Sequence, residues 1–124
     1  MKIMVVDDSI TMRRIVILNL KKAGYENIIE AENGRVALGI LLAAKDNMPD
    51  IILLDWNMPE MSGIEFLKEI KSDVKLKSIP VIMVTTEAER ECVMEAVKYG
   101  ASGYLVKPLT PDKFQDQVID KLNK

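Results

Sequence analysis

Three aspartates, a threonine pair and one lysine occupy the same kind of place in this sequence, the point where a short apolar run stops. Asp7 and Asp8 follow Ile3–Val6, Asp55 follows Ile51–Leu54, Thr85 and Thr86 follow Val81–Val84, and Lys107 follows Tyr104–Val106. Taken singly, such residues are ordinary caps and turns. Gathered at one edge they form a candidate site, because clustered titratable groups mark sites. Three carboxylates with no His or Cys ligand suit a hard, oxygen-preferring cation, Mg2+ with several retained waters foremost. Without a cation, two carboxylates about 4 Å apart repel by roughly 4 kcal/mol at an effective dielectric of ~20. With a divalent cation and the Lys107 ammonium the formal charges cancel, so a phosphoryl group meets a neutralised site. Phosphoryl transfer needs alignment and charge stabilisation around a nucleophile. Asp55 fits that nucleophile, and an acyl phosphate on it is labile enough for a transient signal.

Something must hold these residues at one edge, and the hydrophobic pattern supplies it. Apolar runs at Ile3–Val6, Ile28–Ala31, Ile51–Leu54, Val81–Val84 and Tyr104–Val106 alternate with helix-like segments. The first, third and fourth runs lack polar alternation, as expected of strands covered on both faces, whereas the second ends in polar residues like an edge strand. Behind the candidate cap Ser9, Met12, Val16, Leu20 and Ala23 form a stripe with Ile15 beside it, and Gly24 is a stop signal. Asn33-Gly34 opens a second helix. Ser62 opens a third, in which Ile64, Phe66, Leu67 and Ile70 repeat at helical spacing. Glu87 to Tyr99 makes a fourth that ends at Gly100, and Thr110-Pro111 starts a fifth. Five strand-helix units predict one α/β domain, a parallel sheet with helices on both faces. In such a sheet ligands bind beyond the carboxyl ends of the strands, where the candidate residues lie.

Composition narrows the function. The chain has 124 residues, enough for one core, and a net charge of −2 that argues against a dedicated nucleic-acid surface. No apolar run approaches the ~20 residues of a membrane span, and strand-like sequence follows Met1 directly, so a cytoplasmic protein is expected. Cys92 is alone and histidine is absent, which excludes an internal disulfide, a zinc finger and an imidazole nucleophile from this chain.

Four motifs in order, Val5-Val6-Asp7-Asp8-Ser9, Leu54-Asp55-Trp56-Asn57-Met58-Pro59, Val84-Thr85-Thr86-Glu87-Ala88 and Val106-Lys107-Pro108, make the chain resemble a response-regulator receiver domain from end to end. Thr11-Met12-Arg13-Arg14 and Gly100-Ala101-Ser102-Gly103-Tyr104 place the resemblance nearest the chemotaxis regulators of that family. The resemblance implies a flavodoxin-like (βα)5 fold with strand order 2-1-3-4-5 and residues 1–124 as one receiver without an output domain. It implies that Asp55 is the phosphoacceptor, that Asp8, Asp55 and the Asn57 carbonyl bind Mg2+ directly, and that Asp7 does so through water. Lys107 would bind a phosphoryl oxygen, Thr85 would move to hydrogen-bond the phosphate, and Tyr104 would change its burial. Asn57 and Glu87 match positions that tune hydrolysis of the acyl phosphate. The implied partners are a histidine kinase as phosphodonor and a flagellar motor switch protein, with room for a phosphatase, and the implied state is a monomer.

Tyr104 and Lys107 differ in strand parity, so on one strand they face opposite sides of the sheet. On the fourth helix Arg90, Val93 and Val97 share a face that, with Tyr104, forms either a partner surface or ordinary packing. Ile10 and Ile17 make a weaker apolar line on the first helix, and the lysines at 68, 71, 75 and 77 read as a solvated face. Three other functions remain open. A non-motility phosphorelay receiver would use the same site. A small phosphohydrolase with Asp7 as nucleophile lacks a cap segment and a spare general acid. A flavin module would need a glycine- and hydroxyl-rich loop where Asp7-Asp8 stands, and its ring-binding aromatics are scarce.

Overall fold

The computed structural model describes residues 1–44, 46–56, 61–85, 90–106 and 110–116, without the side chains of 90–93 and 114. Its strands are β1 (Lys2–Val6), β2 (Asn27–Ala31), β3 (Ile51–Asp55), β4 (Val81–Thr85) and β5 (Gly103–Val106). Between and after them run α1 (Ile10–Lys22), α2 (Gly34–Ala43), α3 (Gly63–Ser72), α4 (Arg90–Lys98) and α5 (Pro111–Phe114). All pairings are parallel, in the order β2-β1-β3-β4-β5, so the alternation and the flavodoxin-like order both hold. The polar second run is indeed at an edge.

Helix starts follow local chemistry. Ser9, Asn33, Ser62 and Thr110 each accept the backbone N–H three residues on, which satisfies a donor the helix cannot pair itself. Gly24 and Gly100, at φ +97° and +108°, take the left-handed turns that end α1 and α4.

Strand parity sorts the core into two layers. Met4, Val6, Ile52, Leu54, Val81 and Met83 pack with Phe66, Leu67 and Ile70 of α3 and with residues of α2 and α4. Ile3, Val5, Ile51, Leu53, Ile82, Val84 and Leu105 face Val16 and Leu20 of α1, and α5 lies beside α1. Each fully buried aliphatic or aromatic side chain contributes roughly 1.5–3 kcal/mol relative to exposure. That holds the strands, and with them the ends that carry the polar residues.

Two expectations are corrected. Ile15 is exposed, because the face centred on Val16 and Leu20 turns it toward solvent. The weaker line of Ile10 and Ile17 is a partly exposed edge, as expected: Ile10 is exposed and Ile17 packs partly against the core. Among the four lysines read as a solvated face, Lys71 is half-buried: its stem lies against the Cα of Gly100, and its Nζ donates to the carbonyls of Lys77 and Ile79. Burial lowers its pKa from the usual lysine value. Lys68 stacks its ammonium 4.5 Å from the centre of the Tyr99 ring.

Candidate functional site

Register brings the first two carboxylates together. β1 and β3 pair Val5 with Leu53 and Val6 with Leu54, and one further step sets Asp7 beside Asp55. Neighbouring strands are about 4.8 Å apart, so equal register at two strand ends makes a carboxylate pair unavoidable. Asp8 completes the group. Asp7, Asp8 and Asp55 each offer an oxygen, and these oxygens lie within 4.8 Å of one another. Asp7 and Asp55 are buried, at 4% and 7% exposure, while Asp8 is open to solvent. This donor set, all oxygen with one open side, fits a hard divalent cation that keeps part of its water shell.

The loop after β1 is held from several directions. The Ser9 N–H donates to Asp7 Oδ1 at 2.9 Å, and the Asp7 N–H donates to the Ala31 carbonyl of β2. The Arg13 guanidinium, one turn into α1, donates through Nη1 to the Asp7 carbonyl at 2.7 Å. Its Nε pairs with Glu30 Oε1 of β2 at 2.9 Å. After β3, the Gly63 N–H at the start of α3 donates to the Trp56 carbonyl at 3.0 Å, which fixes where the chain leaves Asp55.

Thr85 ends β4 fully buried, and among the described residues its Oγ1 has no hydrogen-bond partner. Register pairs Thr85 with Val106 and Met83 with Tyr104, so Thr85 and Tyr104 share the sheet face that α4 covers. Tyr104 is 39% exposed on β5, and Val97 and Met94 are exposed on α4, the helix that touches β5, Met94 at 80%.

The structure thus unites Asp7, Asp8 and Asp55 and sets Thr85 at the same edge of the sheet. Asn57, Glu87 and Lys107 lie outside the described residues, as do the side chains of Arg90 and Val93, whose backbone belongs to α4. Sequence reasoning missed Arg13 and Gly63, which hold the chain beside Asp7 and Asp55. Arg13 lies four residues after the cap Ser9, a position that a register between β1 and β2 would have flagged. An 800 Å³ cleft elsewhere, between α2 and the segment after α3, is lined by Leu41, Leu42, Met48, Val74 and Leu76 but by none of the site residues.

In this doubly wound parallel domain the carboxylate cluster lies beyond the carboxyl ends of the strands, where such sheets bind their ligands. The family model described as the response regulator receiver domain matches residues 3–119, and the chain belongs to that family. It is therefore a receiver domain of two-component signalling, a phosphoacceptor and not a conventional enzyme. It is 45% identical to the chemotaxis protein CheY1 of Helicobacter pylori, over 95% of this chain and 94% of that protein. It is 46% identical to chemotaxis protein CheY-3 of Vibrio cholerae, over 98% of this chain and 91% of the relative. Among solved structures, CheY4 of Vibrio cholerae superposes with a TM-score of 0.82 at 39% identity, covering 96% of each chain. Among the described residues no helix is long and apolar enough to cross a membrane.

Proposed function

We propose that this chain is a stand-alone, monomeric cytoplasmic response regulator. It accepts a phosphoryl group on Asp55 from a histidine kinase and switches a surface that binds a flagellar motor protein. The observation that carries the reading is the buried Asp7–Asp55 pair with Asp8 at the open end of β1 and β3. The chemotaxis relatives named above, covered nearly end to end by this chain, support the motility assignment.

Asp8, Asp55 and the Asn57 carbonyl would hold Mg2+ directly and Asp7 through water, and the ion would supply positive charge against the phosphoryl oxygens. Asp55 is the nucleophile, held at the end of a strand buried on both faces, and it attacks phosphorus as the bond to the donor's imidazole breaks. Lys107 holds a phosphoryl oxygen, and Asn57 and Glu87 set how water reaches the acyl phosphate. The Thr85 hydroxyl turns toward the phosphate and vacates the space behind it, and Tyr104, on the same sheet face, moves inward. That biases a pre-existing equilibrium at the surface of Val97 and Tyr104, to which Arg90 and Val93 belong and Met94 is added. A separate phosphatase would act on the same acyl phosphate.

Two measurements test the assignment. After labelling with a small acyl phosphate, the phosphorylated peptide is expected to carry its modification on Asp55; modification of Asp7 would reverse the roles. Trp56, the single tryptophan and the neighbour of Asp55, should report Mg2+ and then phosphodonor by a fluorescence change.

The switch has its own test in Thr85→Val. Removing a buried hydroxyl that has no partner among the described residues is expected to stabilise the unphosphorylated protein by about 1–2 kcal/mol in chemical denaturation. The same change is expected to leave phosphorylation of Asp55 in place and abolish tighter partner binding, as is Thr85→Ala. Unchanged binding of the fully phosphorylated variants would sink the switch.

A further inference from the structure

We propose that Arg13 is a positioning residue of the cation site, acting through the peptide that joins Asp7 to Asp8. This rests on the metal reading above. The peptide plane between the two residues is bounded by ψ of Asp7 and φ of Asp8, the torsions that set the direction of the Asp8 carboxylate relative to that of Asp7. Its oxygen lies just beyond the end of β1, and Arg13 Nη1 donates to it at 2.7 Å. The guanidinium is itself fixed: its side chain is 12% exposed, and Glu30 on β2 takes its Nε at 2.9 Å. A planar fork that uses one nitrogen on each partner ties three elements together: the end of β1, the first turns of α1 and the edge strand β2. With the Ser9 N–H on Asp7 Oδ1, both the main chain and the side chain of Asp7 are pinned.

Position and charge predict opposite signs. A bare positive charge beside an acidic site weakens cation binding, so deleting it should tighten Mg2+. A clamp that orients ligands strengthens binding, so deleting it should loosen Mg2+, and outer partners of metal ligands typically account for about 10- to 100-fold in affinity. Glu30 neutralises the guanidinium formally, which leaves orientation as its main effect.

The experiment titrates Mg2+ against Trp56 fluorescence in the wild type, Arg13→Met, Arg13→Lys and Asp8→Asn, with melting temperatures and the Asp8 amide NMR shift recorded in metal-free protein. Arg13→Met is expected to bind Mg2+ about 10-fold more weakly and to move the Asp8 amide resonance before any metal is added. Arg13→Lys should fall between it and the wild type. If Arg13→Met does not fold, Arg13→Gln is read the same way, because its neutral amide is too short to reach both partners. Equal or tighter Mg2+ binding by Arg13→Met, or by that substitute, overturns the clamp, whatever happens to the melting temperature. A wild type that shows no Mg2+ response overturns the metal reading itself. Binding that Asp8→Asn abolishes and Arg13→Met spares overturns the clamp alone.

Discussion

Replacing Asp55 with Asn is expected to raise the melting temperature of the metal-free protein while eliminating uptake of a phosphoryl group. Both effects come from one carboxylate. The oxygens of Asp7, Asp8 and Asp55 lie within 4.8 Å of one another. At that separation and an effective dielectric of ~20, a pair of unit charges repels by roughly 3.5 kcal/mol. Asp8 is open to solvent and its share is screened, so the buried Asp7–Asp55 pair dominates. Allowing for relaxation, Asp55→Asn should stabilise the metal-free fold by about 1–3 kcal/mol, or about 4 °C in melting temperature per kcal/mol for a domain of this size. The gain should shrink in high salt. It should also shrink with Mg2+, because a ligand present at 100 times its dissociation constant stabilises the wild type by about 2.7 kcal/mol and the variant by less. Intact-protein mass spectrometry after treatment with a small acyl phosphate should show no phosphorylated Asp55→Asn, since a carboxamide is no nucleophile towards phosphorus. Full uptake by the variant would move the phosphoacceptor elsewhere in the cluster. A lower melting temperature in the absence of metal would mean that the carboxylates are not mutually repelling.

The layers of the fold were legible because burial on two faces leaves a plain mark. β1, β3 and β4 read as unbroken apolar runs, and the starts of α1, α2, α3 and α5 were announced by Ser9, Asn33, Ser62 and Thr110, whose side chains do accept the expected N–H groups. Proximity among the candidate residues was inferred from a rule about sheet edges, and Asp7, Asp8 and Asp55 obey it. What stayed hidden depends on register and on side-chain reach. No local pattern says that Val6 pairs with Leu54, and that pairing alone makes Asp7 and Asp55 neighbours. Arg13 in α1 resembles any surface arginine until β2 brings Glu30 to it. The lysine-rich segment after α3 misled in the other direction. Lys75 and Lys77 are exposed as expected, yet Leu76 and Ile79 are buried between and beside them, and Lys71 of α3 reaches over to cap the carbonyls of Lys77 and Ile79.

Gly63→Ala should be the most damaging small substitution near the site, although it adds a single methyl group. A Cβ at Gly63 would stand 2.9 Å from the Asp55 carbonyl oxygen, 3.0 Å from that of Trp56 and 3.1 Å from the Trp56 Cα. All three are backbone atoms, so no rotamer change relieves the contact. Either the first turn of α3 backs away, breaking the 3.0 Å hydrogen bond from the Gly63 N–H to Trp56, or the end of β3 moves. Overpacking of this kind costs about 1–3 kcal/mol, which outweighs the few tenths gained in helix propensity at a first-turn position. Gly39, in the middle of α2, is the internal control: a Cβ there meets nothing within 4 Å, and Gly39→Ala should stabilise by about 0.5–1 kcal/mol. Denaturation of the two variants should therefore give shifts of opposite sign. The kinetic effect should separate them further. A misplacement of about 1 Å in a reacting group can cost roughly 100-fold, so a partial shift of Asp55 should slow phosphorylation of Gly63→Ala about 10-fold, with Gly39→Ala unchanged. If Gly63→Ala proves as stable and as readily phosphorylated as Gly39→Ala, then contact with α3 does not position Asp55, and the burial of β3 alone must do so.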